Sequence, residues 1–500
     1  MFSKTILEPF LKAVVEHSAE NAFCIDGTFF TYADLARHVS KIRKAVSAKS
    51  GSKIVALVAN DDIETYASIF ALWLEGLAYV PLHPAQPLGR SIEIIGQTQS
   101  DLVLSSVKKE EFPIETITTS ELEFEGLQLE PNDADDCELA YILFTSGSTG
   151  QPKGVTLSRE NIGSFMDSFW KSGIELSSAD RCLQCFDLTF DVSIQSFLAP
   201  LTKGACVYTI PHHEIKYSYV FGLFEDHELT FGAMAPSMVR YLRPYFDEIN
   251  VPSMRYCILT AEASPKELVE EWQNCLPNAE IFDFYGPTEA TIYCTYYKVP
   301  TKNAKQLNGM LSIGKPMDGV IALILDENKT EVPKGEKGEL CVAGAQLTPG
   351  YWQNAEKNAE SFFELGHDGK TERFYHTGDL CYFDADGDLM YAGRKDYQVK
   401  IQGYRIELGE IEHHARNFLN GKNAVATDFT NALNNTEIAL YIETEQIDPT
   451  DVTIALKAKL PPYMVPTRII PLAQFPLNSN DKVDRKTLKL MINEINTTNG

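Results

Sequence analysis

A strand, a helix and a second strand follow one another near the start of the chain, in the order that builds a parallel sheet. Residues 54–58 form a short apolar run typical of a buried strand, and Asp61 and Asp62 then supply side chains that begin helices. Apolar residues recur at helical spacing at Ile63, Tyr66, Phe70 and Trp73. A further apolar run, 78–80, predicts the second strand. Because this alternation recurs to about residue 300, we predict an α/β fold with crossover helices.

The last hundred residues predict a separate, smaller unit. Apolar and polar residues alternate through 397–402, which is typical of a half-buried strand, and Gly403 then turns the chain. The chain has 500 residues, more than one hydrophobic core usually supports. We therefore predict a large N-terminal domain of mixed sheets with crossover helices, residues 1–394, and a small α+β domain, residues 395–500.

The charge of the chain narrows the classes of partner. Its formal net charge is −25 at pH 7, a field that repels nucleic acid and anionic membrane surfaces. No run approaches the ~18 consecutive apolar residues of a membrane-spanning helix. The first residues include Glu8 and no long apolar run, so we see no secretory signal. We therefore expect a cytoplasmic protein with no nucleic-acid partner and no membrane insertion.

The ten cysteines follow no disulfide framework, and reduced thiols are the simplest interpretation. Cys182 and Cys185 form a CxxC pair, yet no second pair stands at the spacing that a zinc site needs. We expect ordinary buried cysteines.

A loop rich in glycine and hydroxyl groups directly follows the apolar strand predicted at 139–144. Its sequence is Thr145-Ser146-Gly147-Ser148-Thr149-Gly150-Gln151-Pro152-Lys153-Gly154. Glycines let the backbone approach a ligand and point successive N–H groups at one anion, while the hydroxyls and the lysine add donors and charge. The spacing differs from the GxxxxGK[ST] P-loop. A flexible linker is the alternative, but the return to apolar residues at Val155 and Leu157 favours a phosphate-binding loop.

Residues 141–155 resemble the phosphate-binding signature of the adenylate-forming superfamily. That superfamily includes acyl-CoA synthetases, luciferases, adenylation domains of nonribosomal peptide synthetases and D-alanine–carrier protein ligases. Further signatures follow in the family's order, at 284–289 (FYGPTE), 375–380 (YHTGDL), 393–412 and 480–485 (NDKVDR). The resemblance spans nearly the whole chain. The layout looks especially like D-alanine–carrier protein ligases, with stand-alone peptide-synthetase adenylation enzymes nearly as similar.

The resemblance implies a ligase that joins a carboxylate to the α-phosphate of ATP. The expected ATP contacts come from Thr145, Ser146, Gly147, Ser148, Thr149, Gly150, Lys153, Asp283, Tyr285, Gly286, Thr288, Asp379, Arg394 and Lys482. Tyr285 would stack on adenine, and Asp379 would accept both ribose hydroxyls. Asp283 stands where the family has Asn and can still accept a hydrogen bond from the adenine amino group. Glu289 would hold Mg²⁺, a hard cation that prefers oxygen ligands, with Thr145 as a further candidate.

Lys482 is expected to carry the chemistry. In the family this lysine bridges the substrate carboxylate and the α-phosphate, where its ammonium offsets charge that builds in the transition state. The preceding Asp481 replaces the family's glycine, and Asp tolerates a left-handed backbone better than most residues. Asp396 matches the family's hinge. The small domain is therefore expected to rotate, bringing Lys482 to ATP in one arrangement and presenting 400–403 to a thiol in the other.

Asp191 favours an amino acid over a simple acid as the substrate. Amino-acid-activating members carry an Asp in the segment corresponding to 190–193 that faces the α-ammonium, and acyl-CoA synthetases and luciferases lack it. A buried carboxylate left unpaired is costly, so a substrate without the ammonium would be rejected. Two alternatives stay open: Asp191 caps a helix near Ser193, or Asp187 performs the same task.

The other walls of the substrate pocket follow from the resemblance. They are Val192, Gln195, Ala233, Ile258, Thr260, Phe284, Ile292 and Tyr293, with the segment around Thr260 alignable one residue either way. The bulk of Phe284 and Gln195 predicts a small or medium substrate side chain.

The expected acceptor is the phosphopantetheine thiol of a separate acyl carrier protein, because the short tail after Lys482 holds no carrier segment. Arg485, Lys486 and Lys489 form a basic cluster that a carrier could use, although a solvated helix face is the alternative. Two other functions stay open. One is an aryl- or fatty-acyl-CoA ligase acting on an acid without an amine, and the other is a catalytically silent relative that binds only a nucleotide or a carrier.

Overall fold

The chain clusters into two compact units. The computed structural model describes residues 1–49, 51–109, 111–145, 152–211, 214–396, 398–477 and 483–498. The large unit comprises Met1–Pro84, Ile95–Phe144 and Gly154–Lys395. The small unit comprises Ala85–Ile94, Thr145–Lys153 and Asp396–Gly500.

The α-helices are α1 Glu8–Glu16, α2 Tyr32–Ser47, α3 Ile63–Leu74, α4 Leu88–Thr98, α5 Arg159–Trp170, α6 Asp191–Leu201, α7 Lys216–Asp226, α8 Pro236–Leu242, α9 Lys266–Cys275, α10 Ala355–Ser361, α11 Leu408–Phe418, α12 Pro449–Lys457 and α13 Arg485–Thr498.

The strands are β1 Asn21–Ile25, β2 Thr28–Thr31, β3 Ile54–Val58, β4 Ala78–Leu82, β5 Leu102–Ser105, β6 Glu115–Thr118, β7 Leu139–Thr145, β8 Lys153–Ser158, β9 Arg181–Gln184, β10 Cys206–Thr209, β11 Phe231–Met234, β12 Tyr256–Leu259, β13 Glu280–Tyr285, β14 Thr295–Lys298, β15 Gln306–Leu307, β16 Met310–Leu311, β17 Lys315–Pro316, β18 Val320–Leu325, β19 Gly338–Gly344, β20 Gly350–Tyr351, β21 Phe362–His367, β22 Lys370–Phe383, β23 Leu389–Arg394, β24 Gln398–Ile401, β25 Tyr404–Glu407, β26 Ala424–Thr430, β27 Thr436–Glu443 and β28 Arg468–Leu472.

The predicted strand–helix–strand unit is present as β3, α3 and β4. Every residue of β3 is buried. Asp62 is the N-cap of α3, and its carboxylate accepts the backbone N–H of Thr65 at 2.9 Å. Gly76 follows the helix with φ 78°, a left-handed turn that glycine adopts without strain. β3 and β4 then pair in parallel. The α/β prediction, with crossover helices, is confirmed here.

The large unit contains a nine-stranded sheet in the order β17-β14-β13-β12-β11-β9-β10-β1-β2. Its strands β13, β12, β11, β9 and β10 run parallel. The carboxyl ends of parallel strands meet at one edge of a sheet, which is where open α/β sheets bind ligands. The segments after β9, β11, β12 and β13 therefore emerge together at this edge.

The described part of the large unit contains three further sheets. One has seven strands in the order β20-β8-β7-β4-β3-β5-β6, a second joins β18, β19, β22 and β21, with β23 on β22, and the third is the hairpin β15-β16. The mixture of parallel and antiparallel sheets matches the predicted large domain.

The small unit contains the hairpin β24-β25, the sheet β26-β27-β28 and the helices α11, α12 and α13. Gly403 turns the hairpin with φ 82°. A buried ion pair of 2.6 Å between Arg90 and Glu410 ties the segment 85–94 to α11 within this unit. The longest segment of the unit begins at Asp396. The domain limits 1–394 and 395–500 stay predictions.

Nine of the ten cysteines are buried, and Cys137 is exposed. Burial raises the pKa of the Cys185 and Cys257 thiols to about 12, so both are neutral at physiological pH. Cys182 and Cys185 are among the buried thiols, as expected.

Within the described ranges, no helix combines the length and the apolar character needed to cross a membrane.

Candidate functional site

Strand β13 carries predicted site residues on both of its faces. Successive side chains of a strand alternate, so Asp283 and Tyr285 share one face and Phe284 lies on the other. Asp283 is buried, and its Oδ1 accepts a hydrogen bond from the Ser264 hydroxyl at 2.8 Å. Ser264 was not predicted, because no sequence motif marks it. Strand β13 therefore carries both the expected nucleotide contacts, Asp283 and Tyr285, and an expected wall of the substrate pocket, Phe284.

Tyr285, Asp379 and Arg394 form one hydrogen-bonded cluster in the large unit. The Tyr285 hydroxyl donates to Asp379 Oδ2 at 2.5 Å, and the Arg394 guanidinium donates to Oδ1 at 2.8 Å. Asp379 and Arg394 are also directly opposite each other in the pairing of β22 with β23. Burial and the Asp379 carboxylate raise the pKa of Tyr285 well above its usual range, so the phenol keeps its proton. The structure thus brings together three residues predicted to contact the nucleotide.

Gly286 allows a close approach of backbone immediately after β13. A Cβ at this position would lie 2.5 Å from the Ile292 carbonyl oxygen and 2.6 Å from the Tyr293 Cα. The approaching segment is itself strained, because Thr291 and Ile292 have φ 57° and 70°, a region that β-branched residues avoid. Such strain costs about 1–3 kcal/mol per residue and concentrates at functional sites. Thr288 lies between Gly286 and Thr291 in the sequence and is half-buried.

Glu289 is fully buried on the short 3₁₀ turn Thr288–Ala290. The Tyr351 hydroxyl donates to its Oε1 at 2.7 Å, and its backbone carbonyl accepts the Thr348 N–H at 2.8 Å. Tyr351 is a residue that the sequence analysis missed, 62 positions away along the chain. A carboxylate held in this way is an oxygen donor of the type that Mg²⁺ prefers, so the residue fits the predicted metal.

Asp191 is the first residue of α6 and is 7% exposed. The N-cap is Phe190, whose carbonyl accepts the Ser193 hydroxyl at 2.6 Å, so Asp191 is not the capping residue. Its carboxylate lies close enough to Tyr141 and Tyr293 to raise the pKa of both phenols further after burial has raised them. Asp191 thus places a carboxyl group in a buried environment that includes two tyrosine side chains.

The predicted walls of the substrate pocket are all buried: Val192, Gln195, Ala233, Ile258, Thr260, Phe284, Ile292 and Tyr293. Gln195 lies four residues after Asp191 on α6, so the two share one helix face. Ala233 and Ile258 are directly opposite in the pairing of β11 with β12, and Phe282 is opposite Ile258 on β13. Phe284 therefore shares their face of the sheet.

Asp187, the alternative to Asp191, already has protein partners. Its Oδ1 lies 2.6 Å from the Lys216 ammonium, and its Oδ2 lies 3.8 Å from His83 Nε2. Burial by itself would lower the pKa of Lys216, but the Asp187 carboxylate raises it overall. This geometry gives Asp187 the role of an ion-pair partner inside the large unit.

Among the residues that the structure describes, Thr145, Lys153 and the predicted hinge Asp396 belong to the small unit. The Thr145 hydroxyl donates weakly to the Lys153 carbonyl at 3.5 Å. The Lys153 ammonium lies 3.3 Å from Glu407 Oε1, which also accepts the Gln398 amide at 2.7 Å. The carboxylate of Asp396 accepts the backbone N–H of Gln398 at 3.2 Å. Glu407 was missed in the sequence analysis because it stands 254 residues from its lysine partner.

Several predictions lie outside the described residues: Ser146, Gly147, Ser148, Thr149, Gly150, Asp481 and Lys482. The basic cluster of the last helix is partly described. Arg485 pairs with Glu412 at 2.6 Å, and Lys489 pairs with Asp428 at 2.6 Å. These partners within the small unit favour a structural role for the two cations.

Comparison with known proteins identifies the family to which the chain belongs. The family model described as AMP-binding enzyme matches residues 10–352. Tyrocidine synthase 1 of Brevibacillus parabrevis is 30% identical over 485 residues, which cover 93% of this chain and 43% of that protein. Tyrocidine synthase 2 of the same organism is 30% identical over 454 residues, which cover 89% of this chain and 12% of that protein. The chain thus spans less than half the length of these curated relatives.

Solved structures share the fold over nearly the whole chain. The Vibrio cholerae adenylation domain AlmE, in complex with glycyl-adenosine-5′-phosphate, has a TM-score of 0.84 and 25% identity, with 97% of each chain covered. PA1221, an NRPS protein containing adenylation and PCP domains, has a TM-score of 0.86 and 22% identity, with 96% of this chain and 83% of that chain covered. On the family match and its extent, this chain belongs to the AMP-binding enzyme family, in agreement with the resemblance to adenylate-forming enzymes.

Proposed function

We propose that this protein uses ATP to activate the carboxylate of an amino acid and then transfers the aminoacyl group to the phosphopantetheine thiol of a separate carrier protein. The observation that carries the proposal is the buried carboxylate of Asp191 at the start of α6, among the predicted pocket residues. A carboxylate among buried pocket residues favours a substrate that brings a positive charge, because opposite charges attract more strongly where water is excluded. An α-ammonium group supplies that charge.

The proposed reaction has two steps. A carboxylate oxygen of the amino acid bonds to the α-phosphorus of ATP, the bond from that phosphorus to the bridging oxygen breaks, and pyrophosphate leaves. The carrier thiol then gives up its proton, its sulfur bonds to the acyl carbon, and AMP leaves with the electron pair. Each step needs two partners to be held in position, so binding groups and positive charge supply most of the catalysis.

The chain's own residues have separate roles in this proposal. Asp379, flanked by Tyr285 and Arg394, accepts the ribose hydroxyls, and a carboxylate held by two donors is a fixed acceptor. Glu289 is the proposed Mg²⁺ ligand, and the ion would neutralise phosphate charge. Lys482 is the proposed catalytic cation.

The relatives support the substrate class. AlmE was solved with glycyl-adenosine-5′-phosphate, which is an aminoacyl-adenylate. In PA1221, an NRPS protein, a unit of this fold accompanies a PCP domain. These relatives favour an amino acid as the acid that is activated and a carrier as the acceptor.

ATP–pyrophosphate exchange tests the first step directly. The full chain is assayed with each amino acid in D and L form, and with the matching acids that lack the amine. We expect exchange with at least one amino acid and a loss of at least about tenfold for its deaminated counterpart. Exchange with the deaminated acids alone, with CoA as the acceptor, would assign the protein to the acyl-CoA ligases instead. No exchange with any acid would favour a silent relative.

A further inference from the structure

Three side chains with metal-binding donor atoms meet on one face of the pair of strands β19 and β22. Glu339 and Cys341 are two residues apart on β19, so their side chains share a face. His376 on β22 is directly opposite Cys341 in the strand pairing. A carboxylate oxygen, the thiol sulfur and an imidazole nitrogen all lie within 4.8 Å of one another. The fold of the large unit thus gathers three different kinds of ligand atom at one place.

The distances between the donor atoms are close to those of a tetrahedral zinc site. His376 Nδ1 lies 3.1 Å from Glu339 Oε2 and 3.7 Å from Cys341 Sγ. Zinc binds nitrogen and oxygen at about 2.0–2.2 Å and sulfur at about 2.3 Å, so two ligands of a tetrahedral ion are about 3.3–3.7 Å apart. The two measured separations match this range to within about 0.2 Å. Small side-chain movements would therefore be enough to enclose an ion.

Hydrogen bonds alone place two demands on one nitrogen of His376. Nδ1 of a neutral imidazole either donates its hydrogen or accepts with its lone pair. It can donate to the Glu339 carboxylate or accept from the Cys341 thiol, but it cannot make both bonds fully. A cation is bound by one lone pair from each of the three groups, so it satisfies all of them together. The donor set therefore fits a cation better than it fits a hydrogen-bonded cluster.

The surroundings hold two of the ligands in position. Glu339 Oε1 accepts the backbone N–H of Gly378 at 3.0 Å, which leaves Oε2 as the oxygen beside His376. The Phe363 ring packs on the imidazole with centroids 4.3 Å apart. Partners of this kind orient metal ligands. The His376 side chain is 27% exposed and Cys341 is buried, so one side of the cluster is open to an ion and to water.

A lysine already occupies part of this place. The Lys395 ammonium lies 3.3 Å from Glu339 Oε2, the same oxygen that faces His376. Its side chain is 42% exposed, and an exposed ion pair is worth only about 0–1 kcal/mol, so the ammonium can move into water at little cost. An ion that binds Oε2 would displace Lys395, and this competition can be measured.

We propose that Glu339, Cys341 and His376 form a binding site for Zn²⁺, with water as the fourth ligand. Sulfur and nitrogen donors favour zinc over Mg²⁺ and Ca²⁺, which prefer oxygen ligands. On coordination the Cys341 thiol releases its proton to solvent, and the thiolate lone pair binds the ion. The ion would join β19 to β22 inside the large unit. The three ligands have no role in the proposed adenylation, so this inference does not depend on the proposed function.

Cobalt(II) is a spectroscopic probe of the site, because it adopts zinc's geometry and gives a charge-transfer band when a thiolate binds it. The untagged full chain is titrated with Co²⁺ in excess Mg²⁺, which occupies sites made of oxygen ligands alone. We expect the thiolate-to-cobalt band to saturate at about one equivalent and to disappear when Zn²⁺ is added. Absence of the band, or a band that Zn²⁺ does not remove, would overturn the proposal.

Variants of the ligands test which residues hold the ion. Cys341→Ser is expected to lose the band, and His376→Gln is expected to weaken Co²⁺ binding by more than about tenfold. Cys137→Ala is the matched control, since it removes the exposed thiol and should leave the band unchanged. A band that persists in Cys341→Ser, or that is lost in Cys137→Ala, would show that cobalt binds elsewhere and would overturn the assignment.

A gain of affinity gives a test that a poorly folded variant could not imitate. Lys395→Ala removes the competing ammonium and is expected to tighten Zn²⁺ binding by about threefold or more, measured by competition with a fluorescent chelator. Lys302→Ala changes another exposed lysine of the large unit and should leave the affinity unchanged. An affinity in Lys395→Ala equal to or weaker than that of the wild type would overturn the proposed site.

Discussion

At the scale of single residues, Asp61 is a buried acid whose protonation is coupled to folding. The Tyr66 hydroxyl donates to its Oδ1 at 2.7 Å. Burial raises the pKa of Asp61 to about 7, and nearby Asp187 adds to the rise. An unfolded Asp has a pKa of about 3.9, so between these two values the folded protein binds a proton that the unfolded chain has lost. The stability that Asp61 contributes therefore falls as the pH rises from about 4 to about 7.

The variant Asp61→Asn should remove this pH dependence, because the amide keeps an acceptor for Tyr66 without a titratable charge. Relative to wild type, its free energy of unfolding should rise by about 2 kcal/mol more at pH 8 than at pH 5.5. Urea unfolding at the two pH values measures the difference. Asp62→Asn is the matched control, since Asn also caps a helix. The same stability difference at both pH values for Asp61→Asn would contradict the prediction.

The proposed role of Asp191 in binding the α-ammonium can be tested by measuring a variant with substrates that have and lack the amine. Asp191→Asn is expected to lower kcat/KM for the preferred amino acid by about 10²-fold or more, because the α-ammonium loses its partner. The loss should be much smaller for the acid of the same size without an amine. Steady-state exchange kinetics give kcat/KM for the wild type and for the variant, each with the amino acid and with the acid that lacks the amine. Equal losses for both substrates would show that Asp191 acts on folding or on the nucleotide rather than on the amine.

The limits of prediction at this scale are physical. Motif residues such as Asp379 and Glu289 could be named as candidates because neighbouring residues mark them. Their partners Ser264, Tyr351 and Glu407 carry no such local mark. Hydrogen bonds between residues far apart in sequence depend on how strands and loops are brought together, which local periodicity does not encode.

At the scale of elements, strand β13 carries candidate site residues on both of its faces. Asp283 and Tyr285 face one side of the sheet, and Phe284 faces the other with Ala233 and Ile258. If the proposed roles hold, one short strand positions a nucleotide contact and a wall of the substrate pocket, and the strand fixes their separation.

Neighbouring substitutions on β13 should therefore separate the two functions. Tyr285→Phe removes the hydrogen bond to Asp379 and is expected to raise KM for ATP by about three- to tenfold, with KM for the amino acid nearly unchanged. Phe284→Leu should change KM for the amino acid and leave KM for ATP nearly unchanged. Exchange kinetics with each substrate varied in turn measure both constants. If both variants changed the same constant, the two-face assignment would be wrong.

Sequence patterns predicted elements better than their arrangement. The unit β3–α3–β4 and strand β24 were predicted, because apolar spacing distinguishes them. The order of the nine-stranded sheet was not, since β1 pairs with β10 across more than a hundred and eighty residues and β14 joins β13 antiparallel. Strands of two residues, such as β15 and β16, are too short to show any period.

At the scale of the whole molecule, the proposed reaction divides between the two units. The large unit holds Asp191, Asp379 and Glu289, and the small unit holds Lys153 and the long segment from Asp396. Lys482→Ala is expected to abolish ATP–pyrophosphate exchange, with a loss of about 10²–10³-fold, because it removes the cation that offsets transition-state charge. Transfer to a carrier from preformed aminoacyl-adenylate should remain largely intact. Lys457→Ala, which changes an exposed lysine of α12, is the control, and equal loss of both half-reactions in Lys482→Ala would contradict this division.

The hinge prediction concerns the second step. Asp396→Pro fixes φ at one residue and should slow transfer to the carrier more than adenylation. Asp396→Ala is the control, because it also loses the bond to Gln398 but leaves φ free. Single-turnover transfer and pyrophosphate exchange are the two measurements. A slowing of both steps to the same extent in the proline variant would count against a hinge at this residue.

The burial of nine cysteines has a practical consequence for following such a rotation. Cys137 in the large unit is the exposed thiol, and the others are shielded inside the protein. A maleimide fluorophore can therefore be attached to the wild-type chain at one defined place. A second cysteine introduced on the surface of α12 would take a second dye, so energy transfer between the dyes could report each turnover without the removal of any native thiol.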